Sequence, residues 1–532
     1  MNLTPLKAVV WGFIALISML WLGSHILQGA SAVPVGDESA HLLRLFDLKA
    51  SILRANGLIE KLAQVLIASD AYPNTLYAFT ILSSSGDLSI DHARFSILIL
   101  TALHAALGVT LGARLWGQPA ALAYTVMVCC SPILLAYQQT YLIDVALVSG
   151  VGCAVLLAEA GDGFRNRWTS LFFVLVATIT VLTKWTALIW LAPSTMWLCW
   201  KAIVHDTPEL GLVLRRATAM FTLAIVGCGL IGWFSTFEWV EVWQPKSADA
   251  WAPLFVMFIG AVVMSAIVSS RPSPTLRAAF AMVAILLLAG PWFTFRMPFL
   301  LDRMAHEMGL DPTLTGSPRE VLFRTTNLLL ILIPGGIVWL LSGVMGSILF
   351  RRRRMTVMTR ILAAFLGGFA TVQFLPFNAR YLLPIAPLMA GASVACWAVL
   401  SKGKQWALAM TIIVLTIWTG QGYPPAQQRP HTWTTDQYSL GILDFPTGVG
   451  SPPKVLSHRD VDDLFVTLQA LCPQQPCIAN LTQSHPGVQD RALAALGKAR
   501  GFDLQFTDLC EGPEVPLSGL RQTLTVCVTT PR

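Results

Sequence analysis

The chain has 532 residues, 55 % of them hydrophobic and only 12 % charged, with a mean hydropathy of +0.63. That balance excludes an ordinary soluble multidomain protein and points to a polytopic α-helical membrane protein. The formal net charge of +7 is the Lys/Arg surplus that holds cytoplasmic loops in place, so no nucleic-acid partner follows from it.

Residues 8–27, after Lys7, form an apolar run about long enough to cross the hydrocarbon core. Ala30-Ser31-Ala32 beyond it has the small residues of a signal-peptidase site. The run is longer than a usual signal sequence and is followed by more membrane-like sequence, so the expectation is a retained first helix. Asp37, Glu38 and His41 come next, where the chain would leave the bilayer. Two adjacent carboxylates and a histidine are costly there unless water or a substrate meets them. Residues 38–70 are then expected to form interfacial helices, with Leu42, Leu43, Leu45, Phe46 and Leu48 interleaved with Arg44, Asp47 and Lys49. Pro73, in Tyr72-Pro73-Asn74, ends that pattern.

Apolar segments recur at 95–113, 119–136, 142–160, 168–183, 185–203, 217–234, 253–269, 277–295, 325–349, 358–376, 381–400 and 404–420. With the first helix they make about thirteen transmembrane helices. If the N-terminus is cytoplasmic, the inside loops hold Arg114, Arg165 with Arg167, Lys201 with Arg215 and Arg216, Arg271 with Arg277, the arginines at 351–354, and Lys402 with Lys404. Every inside loop is then basic, as the positive-inside rule requires. The same assignment gathers a second polar set on the outer face: Asp37, Glu38 and His41; the stretch 138–144; Lys184; the loops 234–251 and 296–324; and Arg380 with Tyr381. Asp144 falls just inside a span, where an unpaired carboxylate is expensive, so a partner such as Lys184 or a bound group is expected. Asp302, His306 and Glu307 could hold a divalent metal, although nothing in their spacing is diagnostic and a solvated loop is the favoured reading. No other cofactor is indicated.

Residues 421–532 lose the long apolar runs after Pro424, Pro425 and Pro430, which separates a transmembrane unit, 1–420, from a soluble tail. Short strands are expected at 478–481, 504–507 and 524–528 and a helix at 487–498, giving a small α/β domain on the extracytoplasmic side. Six cysteines lie in apolar runs, whereas Cys472, Cys477, Cys510 and Cys527 lie in the tail. An even number there favours disulfides in an oxidising compartment over zinc.

Asp37-Glu38-x-x-His41 resembles the Asp-Glu-x-x-His motif of the protein O-mannosyltransferases, within the wider GT-C class of membrane glycosyltransferases that includes the bacterial aminoarabinose transferases. Arg114-Leu115-Trp116-Gly117, Gly290-Pro291-Trp292 and Arg380-Tyr381-Leu382-Leu383-Pro384 add to the likeness. It covers about the first 400 residues as an architecture and does not reach the tail. It implies a sugar donor carried on a polyprenyl phosphate, an extracytoplasmic acceptor (protein, lipid or glycan), transfer with inversion, and a site on the periplasmic face of a bacterial inner membrane.

The residues suit that chemistry on their own terms. Such transfer needs a carboxylate to take the acceptor proton and cations to stabilise the departing phosphate. Asp37 is the candidate base, and Glu38 the second catalytic residue, orienting the acceptor or tuning Asp37. His41, Asp144, Lys184, Arg380 and Tyr381 are the candidate substrate-binding residues. Of these, Arg380 can grip phosphate through two parallel hydrogen bonds beside the interfacial ring of Tyr381. The rival reading is a transporter or lipid flippase, which predicts inverted repeats or charges at span centres.

Overall fold

The computed structural model describes residues 5–28, 37–66, 72–84, 88–138, 140–206, 247–268, 273–309, 360–364, 367–368, 379–397, 400–421, 432–435, 438–441, 465–466, 477–483, 490–500, 504–506, 514–517 and 524–529. Within them the apolar runs of the sequence become helices. They are α1 (Pro5–Gln28), α2 (Asp37–Arg54), α3 (Leu58–Leu66), α4 (Thr75–Ser83), α5 (Ile90–Trp116), α6 (Gln118–Cys129), α7 (Pro132–Tyr137), α8 (Ile143–Ala160), α9 (Arg167–Val181) and α10 (Ala187–Asp206). After them come α11 (Ser247–Val268), α12 (Pro274–Gly309), a 3-10 turn (Ala379–Leu382), α13 (Ile385–Cys396) and α14 (Lys402–Gln421).

Five of the described helices are long and apolar enough to cross a bilayer, at Lys7–Ser24, Ile90–Trp116, Ile143–Ala160, Ala187–Val204 and Pro274–Phe293. They make this a multi-pass α-helical membrane protein. The expected spans at 217–234 and 325–349 lie outside the described residues, and so does most of 358–376.

α8 forms the centre of the bundle and is buried along nearly its whole length, packed by α5, α9, α10 and α13. α1 runs antiparallel to α5. Gly12 meets Thr110 and Gly23 meets Leu98, and a Cβ on Gly12 would stand 2.4 Å from the Thr110 Cγ2. Small residues at such crossings let helix backbones approach closely where no water is present to drive them together. The outward face of α1 carries exposed Val9, Trp11, Phe13 and Trp21, a surface suited to lipid.

Two expected elements differ. The single span at 119–136 divides into α6 and α7 at Ser131-Pro132, because Pro132 cannot donate to the helical ladder but is well suited to open a new helix. The Gln138 side-chain amide donates to the Cys129 carbonyl at 3.3 Å, which satisfies one of the groups freed by the break. The span at 277–295 continues as helix to Gly309, since Leu300, Leu301 and Met304 keep helical spacing past the apolar window. Asp302 and His306 therefore sit one turn apart on a helix rather than in a loop, and their side chains lie outside the described residues.

The expected interfacial segment becomes α2 and α3, separated at Asn56-Gly57, where the Glu60 carboxylate accepts from the Asn56 N–H at 2.9 Å. Leu42, Leu45, Phe46 and Leu48 of α2 are buried while Asp47 is exposed.

In the tail, β1 (Thr432–Thr435) and β2 (Tyr438–Gly441) form an antiparallel hairpin that the sequence reading missed. A four-stranded sheet has the order β4-β3-β6-β5, with β3 at Cys477–Gln483, β4 at Leu504–Phe506, β5 at Glu514–Leu517 and β6 at Leu524–Thr529. β3 and β4 run parallel through the crossover helix α15 (Asp490–Ala499), and β6 is antiparallel to both β3 and β5. α15 packs on α2 and adds an ion pair from Lys498 to Asp47. The side chains of the four tail cysteines lie outside the described residues.

Candidate active site

The site is built on the first turns of α2. Glu38 is fully buried, and its carboxylate accepts from Arg94 Nε at 2.7 Å, from Arg94 Nη2 at 3.0 Å and from the Tyr141 backbone N–H at 2.8 Å. This fork ties α2 to the start of α5 and to the segment that leads into α8. Arg94 is itself buried, so each charge depends on the other. Glu38 was expected to orient the acceptor or tune Asp37, and its oxygens face Arg94 and the Tyr141 N–H.

One turn further along α2, His41 Nδ1 lies 2.8 Å from the Tyr77 hydroxyl of α4. The Tyr77 ring leans on Tyr141, whose hydroxyl reaches Thr80 at 2.9 Å, and Thr80 meets Ser96 of α5 at 2.8 Å. The polar ladder fixes α2, α4 and α5 against one another.

On the other side of His41, 5.6 Å away between ring centroids, stands Tyr72. Asn74, two residues on, donates to the Gln64 carbonyl at 2.9 Å and so pins this proline turn to the end of α3. Two cations reach the Tyr72 ring: Arg44 of α2 at 5.4 Å and Lys184 at 5.9 Å from its centroid. Lys184 lies in the turn between α9 and α10, held by a bond from its own N–H to Thr180 and one from the Ala187 N–H to its carbonyl. Its ammonium bonds Asp144, in the first turn of α8, at 2.5 Å, and stands 4.3 Å from the centre of the Tyr381 ring. Tyr381 sits on the 3-10 turn that leads into α13.

Burial works against the Lys184 ammonium, but Asp144, followed by the phenols of Tyr72 and Tyr381, outweighs it and holds the pKa above the ordinary lysine value. The site therefore keeps a fixed cation walled by aromatic rings at the end of the bundle where α2, α5, α8, α10 and α13 begin. Such an arrangement can take the oxygens of an anionic group without first recruiting a proton.

The structure thus brings His41, Asp144, Lys184 and Tyr381 into one cluster, and pairs Asp144 with the lysine the sequence suggested. Asp37 opens α2 one turn before His41 and Arg380 directly precedes Tyr381 in the chain; the side chains of both lie outside the described residues. Sequence reasoning missed Arg44, Tyr72, Tyr77, Arg94 and Tyr141. Arg94 had a readable signal, since an arginine in the opening turn of a long apolar helix calls for a buried partner. Among the described residues no group of three or more His, Cys, Asp or Glu side chains could hold a metal ion.

No protein-family model matches the chain, and no curated protein matches it. Among solved structures the chain is similar to ArnT from Cupriavidus metallidurans bound to undecaprenyl phosphate, with 12 % identity, 98 % of each chain covered and a TM-score of 0.30. It is equally similar to the apo state of that protein, at 12 % identity, with 98 % of this chain and 97 % of that chain covered and a TM-score of 0.30. A likeness of that size carries no functional weight, and the function is argued from the residues of the site.

Proposed function

We propose that this chain is a membrane glycosyltransferase that moves a sugar from a polyprenyl-phosphate donor to an extracytoplasmic acceptor. The observation that carries the reading is the gathering of Lys184, Asp144, Tyr381, Tyr72 and His41 from distant parts of the sequence at one end of the bundle. A lipid-phosphate donor suits it: a charged head needs a cation held at the membrane surface, and a prenyl tail needs an apolar bundle beside it.

In this mechanism Asp37 takes the proton of the acceptor hydroxyl as that oxygen attacks the anomeric carbon. The bond from that carbon to the phosphate oxygen breaks, and the polyprenyl phosphate leaves with the electron pair, stabilised by Lys184 and Arg380. A single displacement inverts the anomeric carbon. Glu38 acts as a positioning residue by clamping the start of α2 through Arg94, and His41 and Tyr381 shape the donor pocket. In the tail, α15 packs on the same helix that carries Asp37, which supports a role for the tail near the acceptor. The basic loops at the other end support placing this end on the periplasmic face, in our reading of an inner membrane.

The transporter or flippase reading is disfavoured by charge placement. In the described apolar helices the ionised side chains cluster toward the ends, with Arg94 and Arg114 at the ends of α5 and Asp144 and Glu159 at those of α8. The test is release of polyprenyl phosphate in proteoliposomes offered a panel of undecaprenyl-phosphate-linked hexoses and pentoses with an extract of periplasmic glycolipids and glycoproteins. The wild-type chain is expected to release it with at least one donor, and Asp37→Asn to release none while inserting normally. Equal turnover by Asp37→Asn sinks the base assignment, and donor-lipid movement across the bilayer without sugar transfer sinks the enzyme.

A further inference from the structure

The opposite end of the bundle holds a cavity. It encloses about 340 Å³ where α5, α8, α10 and α13 end, lined among others by Trp116, Glu159, Asp162, Ser194, Lys201 and Arg360. That volume lies at the lower end of the range for small-molecule sites. Asp144 and Glu159 mark the two ends of α8, so the cavity is roughly 22 Å from the candidate active site at 1.5 Å per residue. Its loops are the basic ones, with Arg114, Arg165 and Arg167, which the positive-inside rule assigns to the cytoplasm.

Arg360 is the key group. Its Nε bonds Glu159, its Nη1 donates to the Pro387 carbonyl at 3.0 Å, and its guanidinium lies 5.2 Å from the centre of the Trp116 ring. Nη2 is buried with no hydrogen-bond partner, and so is the hydroxyl of Ser194, which lines the same cavity. Two unsatisfied buried donors on residues that line one cavity are expensive unless something accepts from them. The fold also reserves the space Arg360 occupies: a Cβ on Gly391 would fall 1.8 Å from Arg360 Nη1.

The charges are ordered by depth. The Arg360 side chain is 2 % exposed, that of Glu159 15 %, and that of Asp162, at the mouth, 51 %. Asp162 pairs with Lys201 and with Arg165, and it sits in a turn where both it and Phe164 adopt positive φ, 50° and 63°. Side chains rarely accept that conformation, so the packing of the turn fixes where this carboxylate points. The deepest charge is the Arg360 donor, the outermost on the wall is the Asp162 carboxylate with Lys201, 34 % exposed, between it and Glu159, and the two cations and two carboxylates balance. A plain anion would meet as much repulsion as attraction. A group with acceptor oxygens at one end and an ammonium at the other meets neither penalty.

We propose that this cavity binds a phosphoethanolamine group, its phosphate on Arg360 Nη2 and Ser194 Oγ and its ammonium toward Glu159 and Asp162. The group is found on phosphatidylethanolamine and, free in water, as O-phosphoethanolamine. The lipid fits the depth order, since its phosphate lies closer to the hydrocarbon than its ammonium does. The inference does not depend on the transferase reading.

The test is native mass spectrometry of the delipidated full chain, titrated separately with dioleoyl phosphatidylethanolamine, dioleoyl phosphatidylglycerol, O-phosphoethanolamine and inorganic phosphate. The expected result is one tightly held phosphatidylethanolamine per chain, roughly tenfold or more preferred over phosphatidylglycerol. Ser194→Ala, which removes one hydrogen bond and leaves the ion pairs alone, should weaken binding roughly 2–10-fold. Arg360→Lys, which keeps the charge but loses Nη2, should weaken it further. A thermal unfolding trace on each variant separates lost binding from lost fold, and Ser194→Ala alone carries the test if Arg360→Lys does not fold. Binding of O-phosphoethanolamine as tight as that of the lipid assigns the site to the free compound and overturns the lipid source. Equal binding of the two lipids, tight binding of inorganic phosphate, or a Ser194→Ala chain that binds like wild type overturns the site.

Discussion

Replacing Glu38 by Gln decides whether that carboxylate acts on the substrate or on the fold. The substitution keeps the shape but removes the charge, leaving the buried Arg94 with the solvent-exposed Asp91 carboxylate, 3.9 Å away, and an amide N–H₂ turned toward its donors. Breaking a buried pair in this way costs about 3–5 kcal/mol, or roughly two to four powers of ten in the folded-to-unfolded ratio. The Glu38→Leu/Arg94→Leu double variant should recover part of that loss, because it removes both buried charges, although the Tyr141 N–H then loses its acceptor. The assay is reversible unfolding in detergent for wild type, both single variants and the double, with donor turnover measured on the fraction that stays folded. A positioning role predicts a large stability loss and a double variant that folds well but turns over slowly. A Glu38→Gln chain as stable as wild type and devoid of turnover would refute the reasoning and return Glu38 to the reacting pair.

Lys184→Met should abolish measurable donor binding, and an isothermal titration with undecaprenyl phosphate reads it directly. Tyr381→Leu, which removes one ring facing the ammonium, should weaken the same binding by about 0.5–2 kcal/mol, or roughly 2–30-fold. The pH dependence has a fixed sign: the folded pKa of Lys184 is raised, so its contribution to stability is complete below the unfolded lysine value of about 10.4 and is lost as pH rises through the folded one. The stability difference between wild type and Lys184→Met should therefore stay flat from about pH 6 to 9 and shrink only in strong alkali. Gly391→Ala should destabilise by roughly 1–3 kcal/mol, since the new methyl overlaps Arg360, and a chemical denaturation curve checks it.

Much of the helical layout was legible because the bilayer demands long apolar runs, and α1, α5, α8 and α10 follow theirs within a few residues. The exceptions have local causes. Pro132 ends a helix that composition alone would continue, and α12 runs on because helical periodicity outlasts hydrophobicity. The site was legible where an ionised group stood inside an apolar run: Asp144 demanded a partner, and Lys184 was the cation nearest in the chain on the same predicted face. Tyr72 and Arg44 were not legible. Each is unremarkable in its own stretch and acquires a role only when the α3–α4 turn folds back over α2, a contact between segments that periodicity does not encode. Arg94 carried a signal, an arginine near the start of a long apolar helix, but its partner Glu38 could not be named before the fold brought the two together.

Both ends of α8 are held by a buried ion pair, Asp144 with Lys184 at one and Glu159 with Arg360 at the other. Pairs of this kind add little net stability over apolar packing, so their presence at both ends of the most buried helix asks for another reason. At the first end the cation is a lysine inside an aromatic wall, its single point of charge directed between Asp144 and two rings. At the second it is an arginine, whose planar fork serves a carboxylate and a backbone carbonyl while one nitrogen remains unsatisfied. A compact ammonium suits a site through which a phosphate arrives and departs, because its charge is spherical and its bonds reorganise freely. A fork with one donor left over suits a group that stays. On the two proposals together, the chemistry of the two cations would separate a place of turnover from a place of residence on the same helix, and exchanging them, Lys184→Arg in one chain and Arg360→Lys in another, should slow product release at the first end and loosen retention at the second.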